Sequence, residues 1–244
     1  MPELPEVETI RRQLAQEIIG KKLNGQKIIN VRRRAKILII DFADGSNLIF
    51  HLKLTGQLIL NGKPLPYTRK VFNFEDGSQL FFNDARKLGW WKKIRGTKKI
   101  EEGFGPEALE IDFNTFKALL EKRPNSKIKL LLMDQKSIAG IGNIYSNEIL
   151  FAAKINPSRR VKTLTSEEIR MVFQNMKKIL KKAIRYHGTT ERDYRDAYGR
   201  EGNYFRFLKV YDREGEKCSR CGTKIKKEEI GGRSAYFCPA CQPL

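Results

Sequence analysis

Leu4, Val7, Ile10, Leu14 and Ile18 recur at three- and four-residue spacing, and Gly20 follows them. The spacing predicts an amphipathic helix with a glycine stop and with Pro2 at its N-terminus. From residue 27 to about residue 95 the pattern changes to short apolar runs broken by turn residues. Phe42-Ala43-Asp44-Gly45-Ser46-Asn47-Leu48 recurs closely as Phe74-Glu75-Asp76-Gly77-Ser78-Gln79-Leu80. Each is an Asp-Gly hairpin signal between apolar strands, and Asn61-Gly62 marks a third turn. Two copies are too few for a repeat array and predict similar hairpins of a β-sandwich.

From about residue 113 the period becomes helical. An apolar stretch runs from Ile128 to Ile138, and another starts at Ile144. Thr165 and Glu168 form a capping box, Ile169, Val172, Met176, Ile179 and Ala183 continue one face, and Gly188 ends it. Residues 189–205 are polar, rich in tyrosine, arginine and glycine, and predict a mobile surface loop that could close as a lid. Residues 96–112 are charged and carry Gly and Pro. The fold class is α+β in two domains. The expected boundaries are an N-terminal β-sandwich domain with its leading helix at 1–100, a linker at 101–112, a helical domain with the lid at 113–209, and a small C-terminal module at 210–244.

Charge narrows the partner. Lys and Arg number 48 against 28 Asp and Glu, a net +20 over 244 residues. Such an excess favours a polyanion, nucleic acid before an anionic membrane surface. No apolar run approaches the ~18 residues of a membrane-spanning helix. Acidic residues crowd the first ten positions, unlike a secretory leader. The expectation is a soluble, intracellular protein. All four cysteines fall in the last 27 residues, which points to a metal site in a reducing compartment.

Cys218-x2-Cys221, sixteen residues, then Cys238-x2-Cys241 is the spacing of a four-thiolate zinc site. Four protein ligands leave no open position, so the one ion expected is structural. The insert from Lys224 to Phe237 has hairpin size and contains Arg233, a good phosphate or groove probe. Ala139-Gly140-Ile141-Gly142-Asn143-Ile144-Tyr145 joins two helical stretches. It reads as an ordinary helix–turn–helix corner or as a phosphate-binding helix start, with Asn143 as cap or donor. Alternation in Arg32-Arg33-Arg34-Ala35-Lys36 places Arg32, Arg34 and Lys36 on one strand face, a costly arrangement unless anions meet it. In Asp84-Ala85-Arg86-Lys87-Leu88-Gly89-Trp90, Arg86 and the apolar Leu88 could fill a gap in a duplex. Leu54, in His51-Leu52-Lys53-Leu54-Thr55-Gly56, is a second apolar tip. Without other support either leucine reads as core, and His51 alone reads as a packed histidine.

The start, Met1-Pro2-Glu3, carries the sharpest chemistry. A small residue after Met permits Met removal, which would leave Pro2 as a secondary α-amine titrating near pH ~8. Such an amine attacks a sugar aldehyde carbon to give an iminium with no N–H to lose, and Glu3 beside it can act as proton donor. Pro followed by acids is also simply a good helix beginning.

Together these residues resemble the formamidopyrimidine-DNA glycosylase family, bacterial 8-oxoguanine glycosylases with AP-lyase activity. The resemblance covers nearly the whole chain. It rests on Pro2 to Thr9, Arg33 to Lys36, His51 to Gly56, Asp84 to Gly89, Met133-Asp134-Gln135, Gly140 to Tyr145, Gly188-Thr189-Thr190, Val210-Tyr211 and the four cysteines. It implies Pro2 as nucleophile, Glu3 as general acid, Lys36 as an active-site lysine and Glu6 as a further active-site carboxylate. It implies a helix–two-turn–helix in which Asn143 and Lys129 clamp phosphate together with Arg233. It also implies that Leu54, Arg86 and Leu88 replace the flipped base. Leu54 stands where methionine is common and Leu88 where phenylalanine is common; the stretch before Arg33 is shorter than usual and the lid diverges. The implied activity is excision of oxidised purines from double-stranded DNA followed by β,δ-elimination, by a monomer in the bacterial cytoplasm, nucleoid-associated when bound. Two alternatives stay open. One is an endonuclease VIII-like enzyme for oxidised pyrimidines, which usually has Gly where Leu4 stands. The other is a noncatalytic zinc-finger DNA-binding protein, which would not need Pro2-Glu3.

Overall fold

The computed structural model describes all 244 residues. They form two compact units: Met1–Gly103 with Ala183–Arg206, and Phe104–Lys182 with Phe207–Leu244. The zinc finger therefore groups with the helices, and residues 183–206 group with the N-terminal part. No helix is long and apolar enough to cross a membrane.

The first unit holds α1 (Leu4–Ile18), β1 (Lys22–Leu23), β2 (Gln26–Arg34), β3 (Ile37–Phe42), β4 (Ser46–His51), β5 (Gly56–Leu60), β6 (Thr68–Asn73), β7 (Gln79–Asp84), β8 (Trp90–Arg95) and the short α2 (Lys98–Glu101). Two antiparallel sheets, β1-β2-β3-β4-β8 and β5-β7-β6, make the expected sandwich. Leu38, Ile40, Phe42, Leu48 and Phe50 of one sheet share a core with Leu58, Leu60, Phe72, Leu80 and Phe82 of the other. Val7, Ile10, Leu14 and Ile18 of α1 belong to the same core, each at most 1% exposed. Burying each contributes about 1.5–3 kcal/mol.

The two Asp-Gly signals are the β3–β4 and β6–β7 hairpins, with one chemistry. Asp44 accepts from the Ser46 N–H at 2.9 Å and Asp76 from the Ser78 N–H at 3.0 Å, while Gly45 and Gly77 take φ of +79° and +83°. Asn61-Gly62 turns the chain out of β5 into a crossover, because β5 and β6 both pair with β7.

Two sequence expectations need correction. Alternation stops at Arg34, because Ala35 has φ +53° and Ala35-Lys36 is a two-residue turn between the paired Arg34 and Ile37. Arg32 does not await an anion: it pairs with Asp41 at 2.8 Å and with Glu101 of α2. Residues 189–205 are irregular but tied down. Tyr194, Asp196 and Ala197 are buried; Asp196 accepts from Gln13 Nε2 at 2.9 Å, and Leu60 N–H donates to the Ala197 carbonyl at 2.8 Å.

The second unit holds α3 (Phe113–Glu121), α4 (Ile128–Met133), α5 (Asn143–Ala153), most of α6 (Ser166–Arg185), and the hairpin β9 (Lys226–Ile230) with β10 (Arg233–Phe237). The Thr165–Glu168 capping box opens α6: Thr165 N–H donates to Glu168 at 2.8 Å, and Glu168 N–H donates to the Thr165 hydroxyl at 3.1 Å.

Candidate active site and nucleic-acid interface

Helix α1 begins at Leu4 with Glu3 as its N-cap, so Pro2 lies just outside the first turn. Pro2 is buried, and Glu3 and Glu6 are each 1% exposed. The Glu6 carboxylate is held from two sides. Its Oε2 accepts from the Glu3 N–H at 2.8 Å, and its Oε1 accepts from the Thr189 N–H at 2.7 Å. Gly188 fits against it only because it lacks a side chain: a Cβ there would stand 2.8 Å from Glu6 Oε1. A negative carboxylate in the first turn also sits well in the field of the helix N-terminus. The result is a buried proline directly before a helix start that holds two enclosed carboxyl groups.

Lys36 is 6% exposed on the β2–β3 turn. His51, whose backbone faces Ile37 across β3 and β4, accepts the Lys53 N–H on Nδ1 at 3.0 Å. Burial, with Lys53 and Lys36 close by, pushes the imidazole down to about 4. His51 is therefore neutral near pH 7 and carries its proton on Nε2.

The two loops that carry the apolar tips are tied together. Asp84 accepts from the Thr55 hydroxyl and from the Gly89 N–H at 2.6 Å, and the Arg86 N–H donates to Thr55 Oγ1 at 3.1 Å. One buried carboxylate thus ties the loop before β5 to the loop after β7. Leu88 is 47% exposed, which excludes the core reading, while Leu54 is half-buried and Arg86 exposed. A solvent-facing leucine beside an arginine on a braced loop has the form of a wedge.

In the second unit, the glycine turn is shaped by Gln135. Its amide donates to the carbonyls of Met133 and Ile141, and its oxygen accepts the Gly140 N–H at 2.9 Å. The N-cap of α5 is Gly142, so Asn143 is its first residue and not its cap. Lys129 is wholly buried and donates to Asn143 Oδ1 at 2.8 Å, Ser146 Oγ at 3.1 Å and Asn147 Oδ1 at 3.1 Å. An ammonium can only donate, so it fixes the Asn143 amide with its oxygen inward and its NH2 outward.

Cys218, Cys221, Cys238 and Cys241 place their sulfurs within 4.8 Å of one another, with contacts of 3.4 to 3.9 Å. Zn–S bonds of about 2.3 Å in a tetrahedron require sulfurs about 3.8 Å apart, so the four thiols fit one structural zinc ion. Arg233 is exposed at the start of β10, beside the Gly231-Gly232 turn. Tyr236 N–H donates to Asn147 Oδ1 at 2.9 Å, and Gly231 packs on Leu130. The hairpin is thus seated on the helices that hold Lys129 and Asn143.

Sequence reasoning missed two braces. Glu148 accepts the N–H groups of Lys209, Val210 and Tyr211 at 2.9 to 3.0 Å. Arg220 donates to the Phe151 and Ala152 carbonyls, closing the C-terminus of α5. Neither partner lies at helical or strand spacing, so no local period marks Glu148 or Arg220.

Models of the formamidopyrimidine-DNA glycosylase N-terminal domain and H2TH domain match residues 19–91 and 104–195, and a zinc finger found in FPG and IleRS matches residues 215–244. A formamidopyrimidine-DNA glycosylase of Pelotomaculum thermopropionicum is 41% identical over 278 aligned positions, covering 100% of both chains. Lactococcus lactis Fpg, solved with DNA containing an abasic site, superposes with a TM-score of 0.91 at 34% identity, over 99% of this chain and 100% of that one. A MutM protein solved with DNA containing carbocyclic 8-oxo-G also gives 0.91 at 34% identity, over 100% of both. The chain belongs to the formamidopyrimidine-DNA glycosylase family.

Proposed function

We propose that this protein excises oxidised purines, 8-oxoguanine and formamidopyrimidines, from duplex DNA and then cleaves the strand at the resulting abasic site. The observation that carries the reading is the buried Pro2 beside Glu3 and Glu6, with Glu6 held by hydrogen bonds from both sides. Solved relatives in complex with abasic-site and 8-oxo-G DNA support it.

Removal of Met1 frees the Pro2 amine, which attacks C1′ of the damaged nucleotide. The base departs with the electron pair of the glycosidic bond, and Glu3 gives a proton to open the sugar. The resulting iminium draws electrons from C2′, whose proton leaves, and the 3′-phosphate departs by β-elimination. A second, δ-elimination releases the 5′-phosphate and leaves a one-nucleotide gap. Lys36 serves the base and the adjacent phosphate. Leu54, Arg86 and Leu88 enter the duplex where the base has left, offsetting the few kcal/mol of unstacking. The outward Asn143 amide donates to a phosphate oxygen, Lys129 fixes that amide, and Arg233 meets a second phosphate on the zinc-held hairpin. The enzyme acts as a monomer.

Excision on duplexes carrying 8-oxoguanine opposite cytosine, compared with duplexes carrying an oxidised pyrimidine, tests the substrate class. Faster release of 8-oxoguanine is expected. Faster pyrimidine release would move the enzyme to the endonuclease VIII type.

A further inference from the structure

We propose that Glu8 is a positioning residue for Lys36, acting through Arg33 and the carbonyl of Ala35. The proposal rests on the reading of Lys36 as an active-site lysine. Glu8 has more partners than a surface helix carboxylate needs. Arg11 and Arg12, three and four residues on, donate to it at 2.8 to 3.0 Å. The further guanidinium comes from β2: Arg33 Nε donates to Glu8 Oε2 at 3.2 Å. This pair is enclosed, with side chains 7% and 11% exposed, so it is not a screened surface bridge.

Arg33 passes the constraint on. Its NH1 donates to the Ala35 carbonyl at 2.8 Å. That carbonyl belongs to the peptide that enters Lys36, so fixing it fixes the direction in which the Lys36 backbone leaves. The turn needs such a hold: Ala35 sits at φ +53°, a left-handed conformation that costs a residue with a Cβ about 1–2 kcal/mol. Glu8 lies on the helix whose start carries Pro2 and Glu3. One carboxylate therefore sets the lysine turn in the frame of the nucleophile, where small displacements cost much rate.

Single-turnover excision by Glu8→Gln, Lys36→Ala and the double variant tests this. Glu8→Gln is expected to slow excision on the order of tenfold with little change in DNA affinity, a coupling typical of residues in one network. In the Lys36→Ala background the same substitution should cost nothing further. Arg33→Lys keeps the charge but cannot span both acceptors; it should reproduce the loss and the non-additivity, and serves where Glu8→Gln folds poorly. Full excision by Glu8→Gln, or a loss that adds to that of Lys36→Ala, would overturn the relay. Full excision by Lys36→Ala would overturn the lysine reading itself, and the relay with it.

Discussion

Glu6 and Gly188 form a tight fit in the first unit. Gly188 has φ +81°, and an added Cβ meets both the methylene and the carboxylate of Glu6. Gly188→Ala is expected to lower stability by about 1–3 kcal/mol in denaturant unfolding, from backbone strain and displacement of Glu6. It should slow excision as well, because Glu6 holds the N–H of Glu3. His51 gives a pH signature. Its folded value of about 4 lies below the unfolded value of 6.5, so the unfolded chain takes up the proton first. The stability it contributes is complete above pH 6.5 and is lost as the pH falls toward 4. Urea midpoints across that range should fall less steeply for His51→Gln than for the parent. The sequence marked Pro2 and Glu3 from the amine that Met removal would free, and the family resemblance added Glu6. It could not show that Glu6 meets Thr189, 183 positions away, because no local period encodes that contact.

At the scale of elements, single polar side chains brace the irregular segments. Asp84 braces the loops that carry Leu54 and Leu88, Gln135 the glycine turn, and Glu148 the turn leading to the zinc finger. Glu148→Gln exchanges one acceptor oxygen for an NH2 that faces backbone donors. It is expected to cost about 1–3 kcal/mol and to speed amide hydrogen exchange at Lys209, Val210 and Tyr211 before the sandwich is affected. Regular elements were legible: alternation and Asp-Gly turns gave the hairpins, and 3.6-residue periodicity gave α1 and α6. The end of β2 was not, because Ala35 adopts a left-handed turn that favours glycine, and no glycine stands there. Nor was the anchoring of residues 189–205, where Gln13 of α1 meets the Asp196 carboxylate and Gln57 and Leu60 of β5 meet the Asp193 and Ala197 carbonyls.

At the scale of the molecule, the zinc site and the net charge of +20 are expected to set how firmly DNA is held. The four sulfurs fit a closed site, so the ion holds the Arg233 hairpin and takes no part in bond breaking. Chelation should release one zinc per chain and weaken DNA binding sharply in fluorescence anisotropy, and re-addition of zinc should restore it. The cysteine spacing made this site the most legible part of the sequence, because knuckle geometry is local. The covalent step is the central claim, and borohydride trapping reads it directly. On duplex DNA with 8-oxoguanine opposite cytosine, and on abasic DNA, a denaturation-resistant adduct mapped to Pro2 is predicted. No adduct on either duplex, from protein lacking Met1 and carrying zinc, would contradict the account and leave a DNA-binding protein without this chemistry.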